Sequence, residues 1–164
     1  MTGGRPVRKP QRLKDWDYGS TGHYFVTICT QERKPHFRRG AHCAPEPRFP
    51  PLSETGKIVE QKILEIPLHY AGVKVDKYVV MPNHVHLILV LEVGEKGRTM
   101  CAPTPTVSRI MRMLKEAVTK QVGQKIWQKG FYDHIIRNES DYLRVWQYID
   151  ENPAKWAEDE YYTP

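Results

Sequence analysis

Hydrophobic and polar positions along the chain predict four strands and three helices. Runs of β-branched and aromatic residues indicate strands over residues 23–30, 73–80, 84–92 and 131–137. Apolar residues at three- and four-residue spacing indicate a helix from Ser53 to about Pro67, and helices over 107–122 and 139–151. Residues 81–83 are few enough to join two neighbouring strands in a hairpin. The predicted order is therefore β-α-β-β-α-β followed by a terminal helix.

This order is typical of a ferredoxin-like α+β fold. We expect an antiparallel sheet with helices on one face, leaving the other face open for a ligand. The second helix is predicted to bury one stripe of side chains: Val107, Ile110, Met111, Leu114 and Val118. The terminal helix is predicted to bury another: Tyr142, Val145, Trp146 and Ile149. Because one scaffold hosts many functions, the fold alone does not choose among them.

Length and charge limit the number of domains and the class of binding partner. A chain of 164 residues with 40% hydrophobic content can bury one core, so we predict a single domain over residues 16–164. The residues before it, 1–15, form a basic arm that we expect to order only on a polyanion. Its positive side chains are Arg5, Arg8, Lys9, Arg12 and Lys14. The formal net charge of +6 also favours an anionic partner.

Cysteine usage and hydropathy argue against a disulfide-rich protein, a zinc-knuckle protein and a membrane-spanning protein. The three cysteines, Cys29, Cys43 and Cys101, are odd in number and scattered, so they indicate neither a disulfide framework nor a zinc knuckle. No apolar run approaches the length needed to span a membrane. We therefore expect a cytoplasmic protein without a membrane partner.

The segment His84-Val85-His86 lies inside a predicted strand. Alternation along the strand places both imidazoles on one face, with Cα atoms about 6–7 Å apart, while Val85 and Leu87 point to the helix-covered face. Two imidazoles at that separation can bind one metal ion. The same pattern also fits two polar side chains on a half-exposed strand.

Tyr148 on the terminal helix is a candidate for chemistry. It lies about 110° from the centre of the apolar stripe, near the boundary with solvent, so its hydroxyl is not obviously used in the core. Asn152 follows one turn later on the same face and offers a carbonyl oxygen beside the phenol. A boundary tyrosine that only fills space would have the same position.

Four segments together resemble the REP-associated tyrosine transposases, relatives of the single-tyrosine HUH transposases. The segments are YFVTICT, YVVMPNHVHLILV, IWQKGFYDHIIR and DYLRVWQYIDENPAKW. The resemblance extends from about Trp16 to Trp156 and includes the HUH pattern, in which a hydrophobic residue separates two histidines.

The resemblance implies a metal-dependent endonuclease and strand transferase that acts on single-stranded DNA at hairpins during DNA transposition. In such an enzyme Tyr148 is the nucleophile that forms a 5′-phosphotyrosine. His84 and His86 are metal ligands, and Asn152 supplies a third, amide ligand. The implied cofactor is a divalent cation, Mg²⁺ or Mn²⁺.

Further basic residues are predicted to contact the DNA. The arm over residues 1–15 resembles a segment that helps to recognise bases at the foot of the hairpin. On the second helix the candidates for phosphate contacts are Arg109, Arg112, Lys115 and Lys120, although such a run also fits a solvated face. For Asp133 and His134 we favour structural hydrogen bonds over proton transfer.

Two other functions stay open. A ferredoxin-like sheet with exposed aromatic residues can bind single-stranded RNA by stacking, without catalysis. A domesticated or inactive transposase would still bind hairpin DNA but would no longer move it. Either a monomer or a homodimer is compatible with the sequence.

Overall fold

A computed structural model describes residue 17 and residues 19–39, 49–92 and 105–162. The predicted DNA contacts of the basic arm, Arg5, Arg8, Lys9, Arg12 and Lys14, lie outside the described residues, as do Cys43 and Cys101. Cys29 is a free, partly buried thiol. Within the described ranges, no helix is both long enough and apolar enough to cross a membrane.

Four strands form one antiparallel sheet. They are β1 (Gly22–Cys29), β2 (Val73–Val80), β3 (His84–Leu91) and β4 (Tyr132–Ile136). Their order across the sheet is β2-β3-β1-β4, and all three neighbouring pairs are antiparallel. This order confirms the predicted α+β, ferredoxin-like arrangement. The pairing of β2 with β3 is irregular between Val75 and Lys77, where one extra residue bulges from β2.

Within the described residues four α-helices accompany the sheet: α1 (Glu54–Leu64), α2 (Ile66–His69), α3 (Val107–Val122) and α4 (Glu139–Glu151). The hydroxyl of Ser53 caps α1 by accepting a hydrogen bond from the backbone N–H of Gly56 at 3.0 Å. The short helix α2 was not predicted. It begins at Ile66, and Pro67 lies in its first turn, where proline is tolerated, so Pro67 does not simply end α1.

The larger core lies on the face of the sheet that carries α1 and α3, which we call the first face. Alternate residues of β1 and β3 point into it, including Val26, Val85 and Leu87. All five members of the predicted α3 stripe are buried there, as the periodicity of that helix predicts.

Helix α4 packs on the opposite side, the second face of the sheet. Val145 and Ile149 contact Phe25, Ile88 and Ile136 in a smaller core. The prediction that this face stays open is therefore wrong where α4 covers it.

The predicted buried stripe of α4 is also wrong at one position. Trp146 is 38% exposed, and the ammonium group of Lys77 lies 3.6 Å from the centre of its ring. The reason is that Trp146 lies beside the edge strand β2, where the sheet ends and a large side chain remains partly in water.

Candidate functional site

His84 and His86 form the centre of the candidate site on the second face of the sheet. The register of β3 against β1 places them opposite Cys29 and Thr27. Their Nε2 atoms are 3.0 Å apart, and the two residues are 0% and 1% exposed. The predicted convergence of two imidazoles on one face is therefore present in the structure.

Asn83 determines which nitrogen of His84 carries the proton. Its side-chain amide donates to the carbonyl oxygens of Arg33 and Tyr161, at 3.0 and 2.8 Å. Its Oδ1 must then accept, and the Nδ1–H of His84 donates to it at 2.8 Å. The lone pair of His84 Nε2 is left facing His86, so these two nitrogens share either a proton or a cation.

Both histidines are neutral in this environment. Burial lowers the pKa of His86 to about 3. Burial, with smaller contributions from His86 and Arg33, lowers the pKa of His84 well below its usual range. Thr27 Oγ1 lies 2.8 Å from Nδ1 of His86 and can accept a hydrogen bond from an Nδ1–H, a tautomer that would leave the lone pair of Nε2 available to a ligand. Neutral imidazoles are the form that binds metal ions.

Tyr148 reaches this pair from α4. Its hydroxyl oxygen lies 3.4 Å from Nε2 of His86, and its ring meets the ring of Phe25 edge to face at 6.0 Å. The side chain is 40% exposed, with the hydroxyl end against the buried imidazole. Burial and the carboxylate of Asp159 raise the pKa of Tyr148 to about 12, although hydrogen bonding with Asn152 acts in the opposite direction. The phenol is therefore protonated near neutral pH.

Asp159 completes a group of three ionisable side chains, and it was not among the site residues predicted from the sequence. Its Oδ2 lies 3.9 Å from Nε2 of His84, and the ligand atoms of His84, His86 and Asp159 all lie within 4.8 Å of one another. Burial raises the pKa of this carboxyl group. No local signal could have identified it, because it follows the last periodic helix in a short acidic stretch that resembles an ordinary surface segment.

Two buried oxygen atoms next to the histidines have no hydrogen-bond partner among the residues that the structure describes. They are Oδ2 of Asp159 and Oδ1 of Asn152, whose side chain also contacts both Tyr148 and Asp159. Buried polar atoms are nearly always satisfied, and two such acceptors beside two neutral imidazoles are a donor set that could hold a cation. The residues present thus fit a divalent metal ion.

Residues 156–162, which we call the C-terminal segment, cover the histidines. The ring of Tyr161 lies 4.6 Å from that of His84. Arg33 holds the segment by donating to the carbonyl oxygen of Glu160 at 2.7 Å, with its guanidinium group over the Tyr161 ring. This cover explains why the pair is fully buried although it points away from the main core.

The basic residues of α3 lie elsewhere. Helix α3 packs on the first face, so the structure does not bring Arg109, Arg112 or Lys115 to the histidine pair. Arg112 approaches Glu116 at 4.0 Å, and the ammonium group of Lys115 donates to the backbone carbonyls of Gln128 and Gly130. Contacts between these three residues and DNA stay a prediction, and Lys115 already has a role in holding the loop before β4.

For Asp133 and His134 we predicted structural hydrogen bonds and not proton transfer. Nε2 of His134 lies 2.8 Å from Oδ2 of Asp141 in α4, a bond that ties β4 to the start of that helix. Asp133 is buried on the neighbouring position of β4. His134 therefore has the kind of structural hydrogen bond that we predicted for it.

No model of a protein family matches the chain. An uncharacterized protein of Haemophilus influenzae is 32% identical to it over 94% of this chain and 93% of that protein. A REP-associated tyrosine transposase of Escherichia coli is 35% identical over half of this chain and 45% of its own length. A solved structure of a REP-associated tyrosine transposase bound to a REP hairpin shares the fold. Its TM-score is 0.60 at 23% identity, covering 98% of this chain and 77% of that one.

Proposed function

The chain belongs to the family of the REP-associated tyrosine transposases, and from that premise we propose that it cuts and rejoins single-stranded DNA at hairpins. Tyr148 is the proposed nucleophile, and a divalent metal ion is the proposed cofactor. The observation that carries the proposal is the position of the Tyr148 hydroxyl, 3.4 Å from Nε2 of a neutral, buried histidine in the HUH pattern. A tyrosine that only filled space at a helix boundary would have no need of this neighbour.

His84 and His86 would hold the metal through their Nε2 atoms. Oδ1 of Asn152 and Oδ2 of Asp159 are the further candidate ligand atoms, because both are buried and neither has a hydrogen-bond partner within the described part of the chain. A mixed set of imidazole and oxygen donors suits Mn²⁺ well, whereas Mg²⁺ prefers oxygen alone. When bound, the ion would offset negative charge on a non-bridging phosphate oxygen.

Tyr148 performs the covalent step. Its phenol loses a proton, its oxygen forms a bond to phosphorus, and the bond from phosphorus to the 3′ oxygen breaks. The leaving oxygen takes up a proton and becomes a free 3′-hydroxyl, while the 5′ end of the DNA stays on the protein as a phosphotyrosine. A second 3′-hydroxyl can attack that phosphotyrosine and release the phenol. One phosphodiester is exchanged for another, so rejoining needs no external source of energy.

Hairpin DNA is the proposed partner. The E. coli relative and the structural neighbour are named for REP elements, and the structure of the neighbour was solved in complex with a REP hairpin. The net charge of +6 favours binding to a polyanion. The basic arm over residues 1–15 is the proposed reader of bases at the hairpin foot, and Arg109, Arg112 and Lys115 stay proposed phosphate contacts.

The test is a covalent trapping experiment. The full chain is incubated with labelled single-stranded hairpin DNA from the flanks of its own gene and Mn²⁺, and the products are separated under denaturing conditions. A labelled band that survives denaturation is the expected phosphotyrosine adduct. Tight hairpin binding without any adduct would instead identify the chain as an inactive hairpin-binding protein. Preference for single-stranded RNA over the hairpin would favour an RNA-binding module.

We expect the substrate to be single-stranded. A regular duplex presents each backbone beside its partner strand, whereas an unpaired strand next to a hairpin can bend to meet Tyr148. Cleavage of the hairpin-bearing single strand should therefore far exceed cleavage of the same sequence as a full duplex. Deletion of residues 1–14 should reduce discrimination between cognate and scrambled hairpin feet. Raising the salt concentration should weaken binding steeply. Equal cleavage of duplex and single strand would contradict this proposal.

We expect Asp159→Asn to weaken metal binding. The substitution keeps the size of the side chain but removes the anionic charge, so affinity for Mn²⁺ should fall by about 10- to 100-fold, as for other altered metal sites. The readout is the dissociation constant for Mn²⁺ measured by calorimetry without DNA. Glu158→Gln is the matched control, since it removes the same charge from an exposed side chain of the same segment. Equal affinities for all three proteins would remove Asp159 from the proposed ligand set.

A further inference from the structure

A cavity of about 680 Å³ lies beside the candidate site. It lies between α4 and the strands β1 and β4, and both Tyr148 and His86 line it. Its size is within the range of pockets that hold small organic ligands, which is roughly 300–1,000 Å³. The cavity thus has room for a nucleotide next to the proposed nucleophile.

Tyr132 forms part of the cavity wall and is 50% exposed. It belongs to β4, the edge strand, and pairs with Thr27, which in turn pairs with His86. Its ring therefore lies on the second face, in the same row as the metal-ligand candidate. A large aromatic ring that stays half in water beside a cavity is not explained by packing of the core.

A continuous series of aromatic rings leads from Tyr132 to Tyr148. The ring of Phe25 lies 6.5 Å from that of Tyr132 and 6.0 Å from that of Tyr148, edge to face in both cases. Phe25 also stacks on His86 at 5.3 Å. Phe25 is buried, whereas Tyr132 and Tyr148 at the two ends are exposed, so Tyr132 is the member away from the proposed nucleophile that offers ring surface to a ligand.

The charges around the cavity favour one side for a phosphate backbone. Arg144 and Lys155 on the α4 side are highly exposed, and within the described residues they pair with Asp141 and Glu151, respectively. Because both cationic groups lie in water, where an ion pair contributes little stability, they can exchange these partners for DNA phosphates. On the other side lie Glu158 and Glu160 of the C-terminal segment, which would repel phosphates. Bases carry no charge, so they can lie against the aromatic wall between these two sides of the cavity.

We propose that Tyr132 stacks on an unpaired base of the DNA strand and thereby positions the adjacent phosphate for attack by Tyr148. This inference rests on the proposed function and adds a positioning residue to it. Every base has a π-face, so a stacking platform accepts any base and selects for unpaired strands over duplexes. The phenolic hydroxyl of Tyr132 has no part in the stack.

The experiment measures stacking directly, without depending on cleavage. The hairpin oligonucleotide carries 2-aminopurine, whose fluorescence falls when it stacks, at each unpaired position next to the hairpin in turn. Binding and fluorescence are followed in the Tyr148→Phe background, so that no strand is cut during the measurement. The variants compared are Tyr132→Ala, Tyr132→Phe and, as a control, Leu143→Ala, which truncates an exposed side chain of α4 outside the cavity.

We expect quenching at one position or more with an intact Tyr132, and the same quenching in Tyr132→Phe, which keeps the ring. Tyr132→Ala should restore the fluorescence and weaken binding by about ten-fold, the loss typical of one base–aromatic stack. Leu143→Ala should leave both unchanged. The inference would be overturned if Tyr132→Ala showed the same quenching and affinity as the protein with an intact Tyr132, or if no position were quenched in any protein. If the wild-type protein still forms its covalent adduct in that case, the proposed function stands. If the wild-type protein formed no adduct but Tyr132 still quenched the fluorescence, the proposed function would be overturned and the stacking role of Tyr132 would stand.

Discussion

Replacing Tyr148 with phenylalanine is expected to abolish the covalent protein–DNA adduct. The substitution removes the one oxygen atom proposed to attack phosphorus and almost no volume. The edge-to-face contact with Phe25 involves only the ring, so it survives the change. We expect adduct formation to fall by on the order of 10⁴-fold or more, the scale of losing a catalytic nucleophile. Hairpin affinity, measured by a gel shift on the same DNA, should stay nearly unchanged.

Tyr142→Phe is the matched control. Tyr142 belongs to the same helix, but its hydroxyl donates to Asp76 at the bulge of β2, away from the histidines. Removing that hydroxyl should cost about 1 kcal/mol of stability and leave the adduct intact. An adduct of wild-type yield in Tyr148→Phe would move the nucleophile elsewhere, with Tyr142 the next candidate. Loss of the adduct in both variants would point to a general effect of disturbing α4.

Local periodicity was sufficient to predict most of the regular elements of the fold, including the helix that carries Tyr148. Residues 73–80, 107–122 and 139–151 form the strand and helices that their spacing predicts, because each pattern repeats over several turns or pleats. Alternation in β3 placed the two imidazoles on one face for the same reason. The helical offset between Tyr148 and the buried Val145 and Ile149 correctly placed the tyrosine at the solvent boundary.

The rest of the site depends on contacts between segments that are distant along the chain. Asp159 approaches His84 in a segment that Arg33, after β1, and Asn83, before β3, both hold by hydrogen bonds to its carbonyl oxygens. Nothing in the residues around either position indicates that contact. Lys115 is a similar case: its place in a basic helix suggests a free cation, whereas carbonyls beyond the end of that helix hold it. Sequence periodicity describes one element at a time and does not report such partners.

His84→Ala and His86→Ala are each expected to eliminate both metal binding and the adduct. One imidazole holds a divalent ion poorly, so loss of either partner should remove most of the affinity. The first readout is thermal unfolding without DNA. A ligand at a hundred times its dissociation constant stabilises the folded state by about 2.7 kcal/mol. For a domain of this size, that corresponds to a rise in melting temperature of roughly 5–10 °C. We expect the wild-type protein to show this rise with Mn²⁺ and both variants to lack it.

Because both histidines are buried, their removal leaves a cavity that can lower stability by itself. Melting temperatures without metal separate that loss from the loss of metal binding, and His69→Ala, at an exposed position of α2, controls for removal of an imidazole. Treatment of the wild-type protein with EDTA avoids the folding problem altogether. It should abolish the adduct reversibly, with activity restored by Mn²⁺ in excess of the chelator. Undiminished adduct formation in EDTA would refute the metal requirement, and His84 and His86 would then be a buried hydrogen-bonded pair beneath the C-terminal segment.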